Sequence, residues 1–471
     1  MTDNIFSMTI NGCEVTSDQK ISIINPATEE VFAEAPLAKK EDLDYAVNAA
    51  RKALPSWSAK SMEERSNDIN KFADVILKNK EQLARLLTME QGKPLNFARV
   101  EIDLAVHWCI ETAKFKLKSE VIEETEEYII EQSYSPVGVV SAIVPWNFPV
   151  LLSMFKIPAA LLAGNTVIVK PSPFTPLSSL RIGELAQEIF PPGVYNVLSG
   201  DDNLGPWITE HSDIDKVSFT GSTATGKKVL QSAAETLKRV TLELGGNDVA
   251  IILPDVDPKE VAPNLFWAAF MNSGQVCINA KRLYIHEKVY DDVLKELVNF
   301  AKTINVGNGL DENSLLGPVQ NKMQYEKVKK LIGDARKEGL RFALGGEDNV
   351  QQGYFIPITI VDNPPEDSTI VTEEAFGPIV PLLKYRDYDE VIERANNSPF
   401  GLGGSVWGKD LEFAKSIAQR LETGTVWIND CASLSPTVPF GGHKQSGMGT
   451  ESSLEGLKEY TNTKVIRINR K

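Results

Sequence analysis

Histidine and cysteine are scarce, with four of each in 471 residues. His107, His211, His286 and His443 are scattered, none at HExxH spacing, and the cysteines at 13, 109, 277 and 431 form no CxxC pair. No metal site is therefore expected. Four thiols cannot staple a chain of this length, which points to a reducing, cytoplasmic address. Basic charge is also short: 49 Lys and Arg stand against 64 Asp and Glu, a net charge of −15. Such a chain is a poor polyanion binder, so neither nucleic acid nor an anionic membrane is the expected partner. No apolar run approaches the ~18 residues of a spanning helix; Lys156, Pro158 and Lys170 break the longest ones. The opening MTDNIFSMTINGCEV has no basic stretch followed by an apolar block, the mark of a targeting segment. Fixed-period repeats, a GxSxG elbow and a Walker loop are missing too, which sets aside solenoids, serine hydrolases and P-loop enzymes.

What is present is an ordinary globular composition, 42% hydrophobic and 24% charged. The length suggests about three folding units. Asn25-Pro26-Ala27-Thr28 reads as a turn, followed by helices. Leu43, Val47, Ala50 and Leu54 fall on one helical face, Ile69, Phe72 and Ile76 on another, and Gly92-Lys93-Pro94 is a helix stop. From 138 onward short aliphatic runs at 138–144, 166–169, 194–198, 217–219 and 250–253 are bounded by Gly, Pro, Asn or Asp, with helical stretches at 177–189 and 224–237. Strands alternating with helices predict a parallel, doubly wound α/β sheet. A second α/β lobe is expected from runs at 283–286, 359–361, 379–384, 404–407 and 425–429. The segments 123–134 and 464–469 fit neither lobe. They read equally well as strands of an oligomer-forming arm or as a solvated hairpin and a frayed tail.

The chemistry points to a thiol. Cys277 ends Asn272-Ser273-Gly274-Gln275-Val276-Cys277, a small polar stretch after the apolar helix 265–271. A cysteine on such a loop can meet substrate, whereas Cys109, beside Trp108 and Ile110, reads as structural. Glu243, at the end of an apolar strand and before Leu244-Gly245-Gly246-Asn247, is a lone carboxylate expected to be desolvated and so raised toward the range of a general base. Asn147 sits between two prolines in Pro145-Trp146-Asn147-Phe148-Pro149, where its amide could serve a developing oxyanion; otherwise the segment is a turn. Phe219-Thr220-Gly221-Ser222 follows a strand and opens a helix, a phosphate-cradle arrangement.

Taken in order, Trp146-Asn147-Phe148-Pro149, Lys170-Pro171-Ser172, Phe219-Thr220-Gly221-Ser222, Glu243-Leu244-Gly245-Gly246, Gly274-Gln275-Val276-Cys277, Glu374-Ala375-Phe376-Gly377-Pro378 and Pro439-Phe440-Gly441-Gly442 resemble the motifs of the NAD(P)-dependent aldehyde dehydrogenase superfamily. The resemblance runs from about Asn25 to the C-terminal tail. It implies Cys277 as nucleophile, Glu243 as base for deacylation and Asn147 with the Cys277 N–H as the oxyanion hole, with Lys156 supporting the Asn147 region. It implies a cofactor, NAD or conceivably NADP, held by Trp146, Lys170, Ser172, Gly221, Ser222, Gly245, Glu374 and Phe376. A substrate tunnel of Phe148, Leu152, Phe155, Ile278 and Phe440 is implied as well. The implied fold has a Rossmann-type cofactor domain (1–117 and 138–245), an α/β catalytic domain (246–445) and a β-arm (118–137 and 446–471) that builds homodimers or homotetramers.

Two departures stand out. Asn247-Asp248 follow Gly246 where many relatives carry lysine. Pro173 stands three residues past Lys170, where an acidic residue commonly grips the adenine ribose, so NAD⁺ is expected to lead NADP⁺ by less than in such relatives. Phe155 occupies a place where succinic-semialdehyde enzymes commonly carry arginine, so medium-chain aliphatic or aromatic aldehydes are the expected substrates. The alternatives are a semialdehyde dehydrogenase, a CoA-acylating relative (which Glu243 argues against) and a non-catalytic structural relative.

Overall fold

Five parallel strands lie side by side in the order Tyr195–Val197, Thr166–Lys170, Val139–Ile143, Lys216–Thr220 and Arg239–Glu243. The chain enters at the central strand 139–143, steps two strands to one side, then crosses back to 216–220. That reversal is the switch point of a doubly wound sheet, and ligands bind outside the carboxyl ends of the strands there. Strands 139–143 and 166–170 are buried at every position, as expected where both faces of a parallel sheet are covered. The structure is a computed structural model that describes residues 5–347 and 352–471. Residues 1–4 of the expected cofactor domain and 348–351 of the expected catalytic domain lie outside that description.

The second sheet holds Thr359–Asp362, Ile379–Tyr385, Arg282–His286, Val249–Ile252, Gly403–Trp407 and Thr425–Ile428, all parallel, with Arg341–Leu344 antiparallel at one edge. Every run expected for the second lobe is a strand here. Only 244–248 separates the last parallel strand of the first sheet from the first strand of the second. Among the described residues no helix is long and apolar enough to cross a membrane.

The helices begin as the sequence pattern indicates. In Lys40–Ser58 the residues Leu43, Val47 and Ala50 are buried and Leu54 is half-buried. In Met62–Lys78 the residues Ile69, Phe72 and Ile76 are fully buried. Lys80–Gln91 stops at Gly92, whose φ of 95° is the left-handed cap conformation that glycine takes at least cost. Two features were not legible. The first hundred residues hold four short strands besides the expected turn. Lys20–Asn25 and Glu30–Pro36 form a hairpin around it, while Met8–Ile10 pairs with Cys13–Val15 and adds antiparallel to strand 195–197. Helix Pro149–Leu162 is buried at every position except Leu152, so no amphipathic period marks it.

Neither 149–162 nor Leu177–Ala186 caps itself, since Phe148 and Pro176 offer no side-chain bond. Two buried glutamates from the preceding helices do so. The Val150 and Leu151 N–H groups donate to Glu101 Oε1 at 3.0 and 3.2 Å. Leu177 and Ser178 donate to Glu90 at 2.7 and 2.9 Å. Each carboxyl meets orphan N–H groups at the positive end of a helix dipole. Glu101 is also paired with the equally buried Lys93 at 2.5 Å.

Tyr128–Pro136 pairs along its whole length with Thr461–Asn469, and Glu120–Glu124 adds to its other side. The two leftover segments are therefore partners in one three-stranded sheet, and the tail is not frayed. Of the span 446–471, only the last strand belongs to this sheet. Gly447–Met448 pairs instead with 239–243, and Leu457 and Tyr460 are buried in the first core.

Removing one member of a buried ion pair leaves the other charge uncompensated, at a cost of about 3–5 kcal/mol. Glu101→Ala is expected to lower stability by about that much, read as a shifted denaturant midpoint. Arg99→Ala, which breaks an exposed pair with Glu81, should leave the midpoint nearly unchanged. Equal midpoints for the two variants would refute the role given to Glu101.

Candidate active site

The carboxyl ends of the first sheet meet the amino ends of the second. Asn147 and Trp146 follow strand 139–143, Gly221 and Ser222 follow 216–220, and Glu243 ends 239–243. From the other side come Cys277, ahead of strand 282–286, and Glu374 and Phe376, ahead of 379–385. Three contacts close the junction. Asn147 Nδ2 donates to Gln275 O at 2.9 Å, the Gly246 N–H donates to Glu374 Oε1 at 3.1 Å, and the Trp146 and Phe376 rings meet edge to face at 5.4 Å.

The loop before Cys277 is conformationally strained. Asn272, Ser273 and Gly274 take φ of 52°, 57° and 75° in succession, a left-handed run that needs outside support. Ser273 donates to Gly317 O at 2.7 Å, Gln275 Nε2 to Asn272 O at 2.9 Å, and the Gln320 N–H to Gln275 Oε1 at 2.8 Å. A Cβ on Gly274 would stand 2.0 Å from Gly377 O, so only glycine lets this loop pass the 377 backbone. Gly245 and Gly246 serve close approach too. A Cβ on Gly245 would meet Glu374 Oε2 at 2.5 Å, and one on Gly246 would meet Cys277 O at 2.9 Å.

Cys277 lies on the wall of a cavity of about 350 Å³, lined mostly by apolar side chains including Phe97, Trp108, Phe148, Phe155, Ile278 and Leu434. Phe155 stacks on Trp108 at 4.5 Å. Phe148, Leu152, Phe155 and Ile278 of the expected tunnel line this space. Phe440 does not; it packs with Val276, Ile278 and Trp427 behind the wall. Burial pushes the Cys277 thiol up to about 12, with Lys281 pulling it down and Asp248, Glu374 and Glu243 pushing further up. Cys109 is fully buried, its thiol raised by desolvation, while Cys13 is exposed.

Glu243 is buried, and neither carboxyl oxygen has a hydrogen-bond partner among the described residues. Desolvation, then the neighbouring Glu451 charge, holds its pKa well above the ordinary value, with Lys156 opposing. Lys156 does not reach Asn147. Its ammonium donates to Glu451 Oε1 at 2.7 Å, an oxygen that also accepts from Ser218 at 2.8 Å. The cation beside Asn147 is Lys93, which donates to the Asn147 carbonyl at 2.9 Å and lies 3.6 Å from the Phe148 ring centre. Lysine 156 lies on a helix whose register could not be read, so its partner, almost three hundred residues away, had no local signal. Lys93 was legible only as part of a helix stop, and Glu101, Lys281 and Glu451 carried no motif at all.

At the switch point Ser222 caps helix Thr223–Ala234 by accepting from the Thr225 N–H, leaving the helix end open to an anion. Ser172 Oγ accepts from the Phe174 N–H at 3.3 Å, a turn role. Lys170 is buried, and its ammonium's one hydrogen bond among the described residues is a 3.4 Å contact to Pro171 O. Desolvation lowers it to about 8, against Asp202 and Asp201. An ammonium so poorly satisfied has donors left for ligand hydroxyls. Phe376 is held at φ 53°, with its carbonyl and that of Ala375 accepting from Gln324 Nε2. The residues present therefore fit a dinucleotide laid across this junction. Among the described residues no metal-holding group of His, Cys, Asp and Glu occurs.

The family model described as the aldehyde dehydrogenase family matches residues 14–466. Aldehyde dehydrogenase LUC3 of a Fusarium species is 43% identical over 463 residues, 98% of each chain. Aldehyde dehydrogenase 1A1 of Gallus gallus is 39% identical, covering 96% of this chain and 91% of its own length. Among solved structures, the NAD⁺ complex of the Bacillus cereus aldehyde dehydrogenase superposes with a TM-score of 0.97 at 40% identity, covering 99% of this chain and 97% of that one.

A raised carboxyl makes stability depend on pH. Below the ordinary glutamate pKa both states are protonated; above it the unfolded chain releases a proton that native Glu243 keeps, so the native state loses stability as pH rises. Glu243→Gln removes that loss. The variant should melt above the wild type at pH 8, with the difference closing toward pH 4, in parallel thermal scans. A difference independent of pH would show that the native carboxyl ionises normally.

Proposed function

This chain belongs to the aldehyde dehydrogenase family, and from that premise we propose that it oxidises aldehydes to carboxylic acids with NAD(P)⁺, Cys277 being the nucleophile. One observation carries the reading: a thiol on the wall of an apolar cavity stands within the electrostatic reach of an unpartnered buried carboxyl, Glu243, and beside the Asn147 amide. Cys277 Sγ, its proton released to solvent, bonds to the aldehyde carbon as the carbonyl π pair moves onto oxygen. The oxygen becomes an alkoxide. Asn147 uses one amide hydrogen on Gln275 O, and the second, with the Cys277 N–H, is free for that oxygen. Glu374 and Phe376 would hold a nicotinamide, which would supply the hydride acceptor; loss of the hydride from the carbon would leave a thioester on Cys277. The carboxylate form of Glu243 then takes a proton from water as the water oxygen attacks the thioester carbon; the acid leaves, and the departing thiolate takes that proton back from Glu243.

The cavity favours apolar aldehydes, medium-chain aliphatic or aromatic. Among the described residues Lys93 is the one cation on its wall, and that charge is spent on Glu101 and the Asn147 carbonyl. A distal carboxylate would go unpaired there at a cost of a few kcal/mol. The protein is proposed to act in the cytoplasm as a homodimer or homotetramer built through the three-stranded arm, whose Val121, Ile122, Val465 and Ile468 are exposed.

The test is NADH formation at 340 nm without CoA. Wild type should turn over hexanal or benzaldehyde with a kcat/KM at least about tenfold above succinic semialdehyde, a ~1.4 kcal/mol difference. Cys277→Ala should be inactive, whereas Cys13→Ala, Cys109→Ala and Cys431→Ala should keep most activity. Turnover surviving in Cys277→Ala would end the mechanism, and preference for the semialdehyde would end the substrate assignment.

NAD⁺ is the proposed preferred cofactor. Pro173 cannot repel a 2′-phosphate, but Asp201 and Asp202 follow the strand next to Lys170 and act on its charge. Asp202→Ser should raise kcat/KM for NADP⁺ by about tenfold, the loss of a ~1.4 kcal/mol repulsion, with NAD⁺ little changed. An unaltered NADP⁺/NAD⁺ ratio would remove Asp202 from the selectivity.

A further inference from the structure

Lys281 has no part in the chemistry above, yet its ammonium sits between the nucleophile loop and the cofactor-facing carboxylate. The side chain is buried. Nζ donates to Cys277 O at 2.5 Å and to Asn279 O at 3.3 Å, and lies 3.7 Å from Glu374 Oε1. Its backbone is fixed in turn, since the Lys281 and Arg282 N–H groups both donate to Asp248 O, at 2.9 and 3.1 Å. Position 247 carries no cation to compete: Asn247 donates its amide to Val371 O at 2.8 Å.

We propose that Lys281 is the positioning residue that holds the Cys277 backbone against Glu374 and supplies the positive charge that lets the buried thiol ionise. The groups acting on Cys277 are Lys281, Asp248, Glu374 and Glu243. Three are carboxyls; of these four groups Lys281 is the one that favours a thiolate. Asp248 is itself pushed up to about 7 by burial, and Glu243 is raised well above its ordinary value. Burial thus favours the neutral form of both, whereas Lys281 and Glu374 face each other at 3.7 Å beside the loop. A positive charge close to a thiol favours its ionised form. By anchoring Cys277 O, the same ammonium also fixes the peptide plane ahead of Ile278. Substrate thus meets a loop already braced from behind.

This rests on Cys277 being the nucleophile, but the experiment reads the thiol directly. Pseudo-first-order alkylation by iodoacetamide is followed at the Cys277 peptide by mass spectrometry between pH 6.5 and 9.5, on the full-length protein without cofactor. Lys281→Gln keeps donors for the two carbonyls and loses the charge, Lys281→Met loses both, and Lys281→Arg keeps the charge. Alkylation at pH 8 should fall about tenfold or more in the Gln and Met variants. In the Arg variant it should stay within about threefold of wild type. A purely structural role predicts that Gln behaves like wild type while Met does not, and that result would overturn the proposal. So would wild-type alkylation in all three variants, or equal slowing in Gln and Arg with unchanged melting curves. If Met fails to fold, the Gln and Arg pair still decides. Failure of the nucleophile assignment would show separately, as retained turnover in Cys277→Ala.

Discussion

The buried pair of Lys93 and Glu101 ties this molecule together. Each charge in isolation would be intolerable inside a core, and the pair is kept because both partners have further work. Glu101 closes the amino end of helix 149–162, and Lys93 holds the carbonyl of Asn147, the residue just outside that end. The link therefore fixes the first turn after the central strand, and with it the amide that faces the cavity. Everything on the first-sheet side of the junction takes its place relative to that turn. The strained loop 272–274 leans on it as well, because Asn272 Nδ2 donates to the same Asn147 carbonyl at 3.2 Å.

The junction is held together by glycines and strain and governed by desolvation. Gly245, Gly246 and Gly274 let two backbones and a carboxylate approach more closely than a Cβ would permit. Inside that packing, Glu243 and Cys277 both favour their protonated forms. The same desolvation costs stability at neutral pH, the usual exchange between a tuned site and a robust fold.

Much of this was legible in the chain. Strands of both sheets were marked by β-branched runs between turn residues, and helices 40–58 and 62–78 by an apolar face. The motifs around Asn147, Gly221, Glu243, Cys277 and Glu374 converge at one junction. What escaped shares a physical reason. Helix 149–162 is buried all round and has no period to read, so the direction of Lys156 was hidden and its pairing with Glu451 could not be foreseen. Glu90 and Glu101 cap helices that lie 87 and 49 residues further along, and no local pattern reports a partner at that distance. The hairpins near the amino end are too short and too unevenly exposed to alternate cleanly. Phe440 carries a motif but faces the packing behind the cavity wall.

The chain order of these parts has a consequence for how the protein is made. Glu451, which holds Lys156 and Ser218, the strand Gly447–Met448 that extends the first sheet, and Tyr460 in its core all come from the last thirty residues. Ser452 accepts from the Trp108 indole, and Asn165 donates to Tyr460 O. The first-formed half thus lacks its final strand and two buried partners until residues 447–460 have been made, although the strands of the second sheet all precede them. A ribosome adding about 5–20 residues per second exposes that unfinished surface for many seconds. The first sheet is completed by the return of segment 447–460 to it. Until it arrives, Lys156 sits in an apolar interior without its counter-charge.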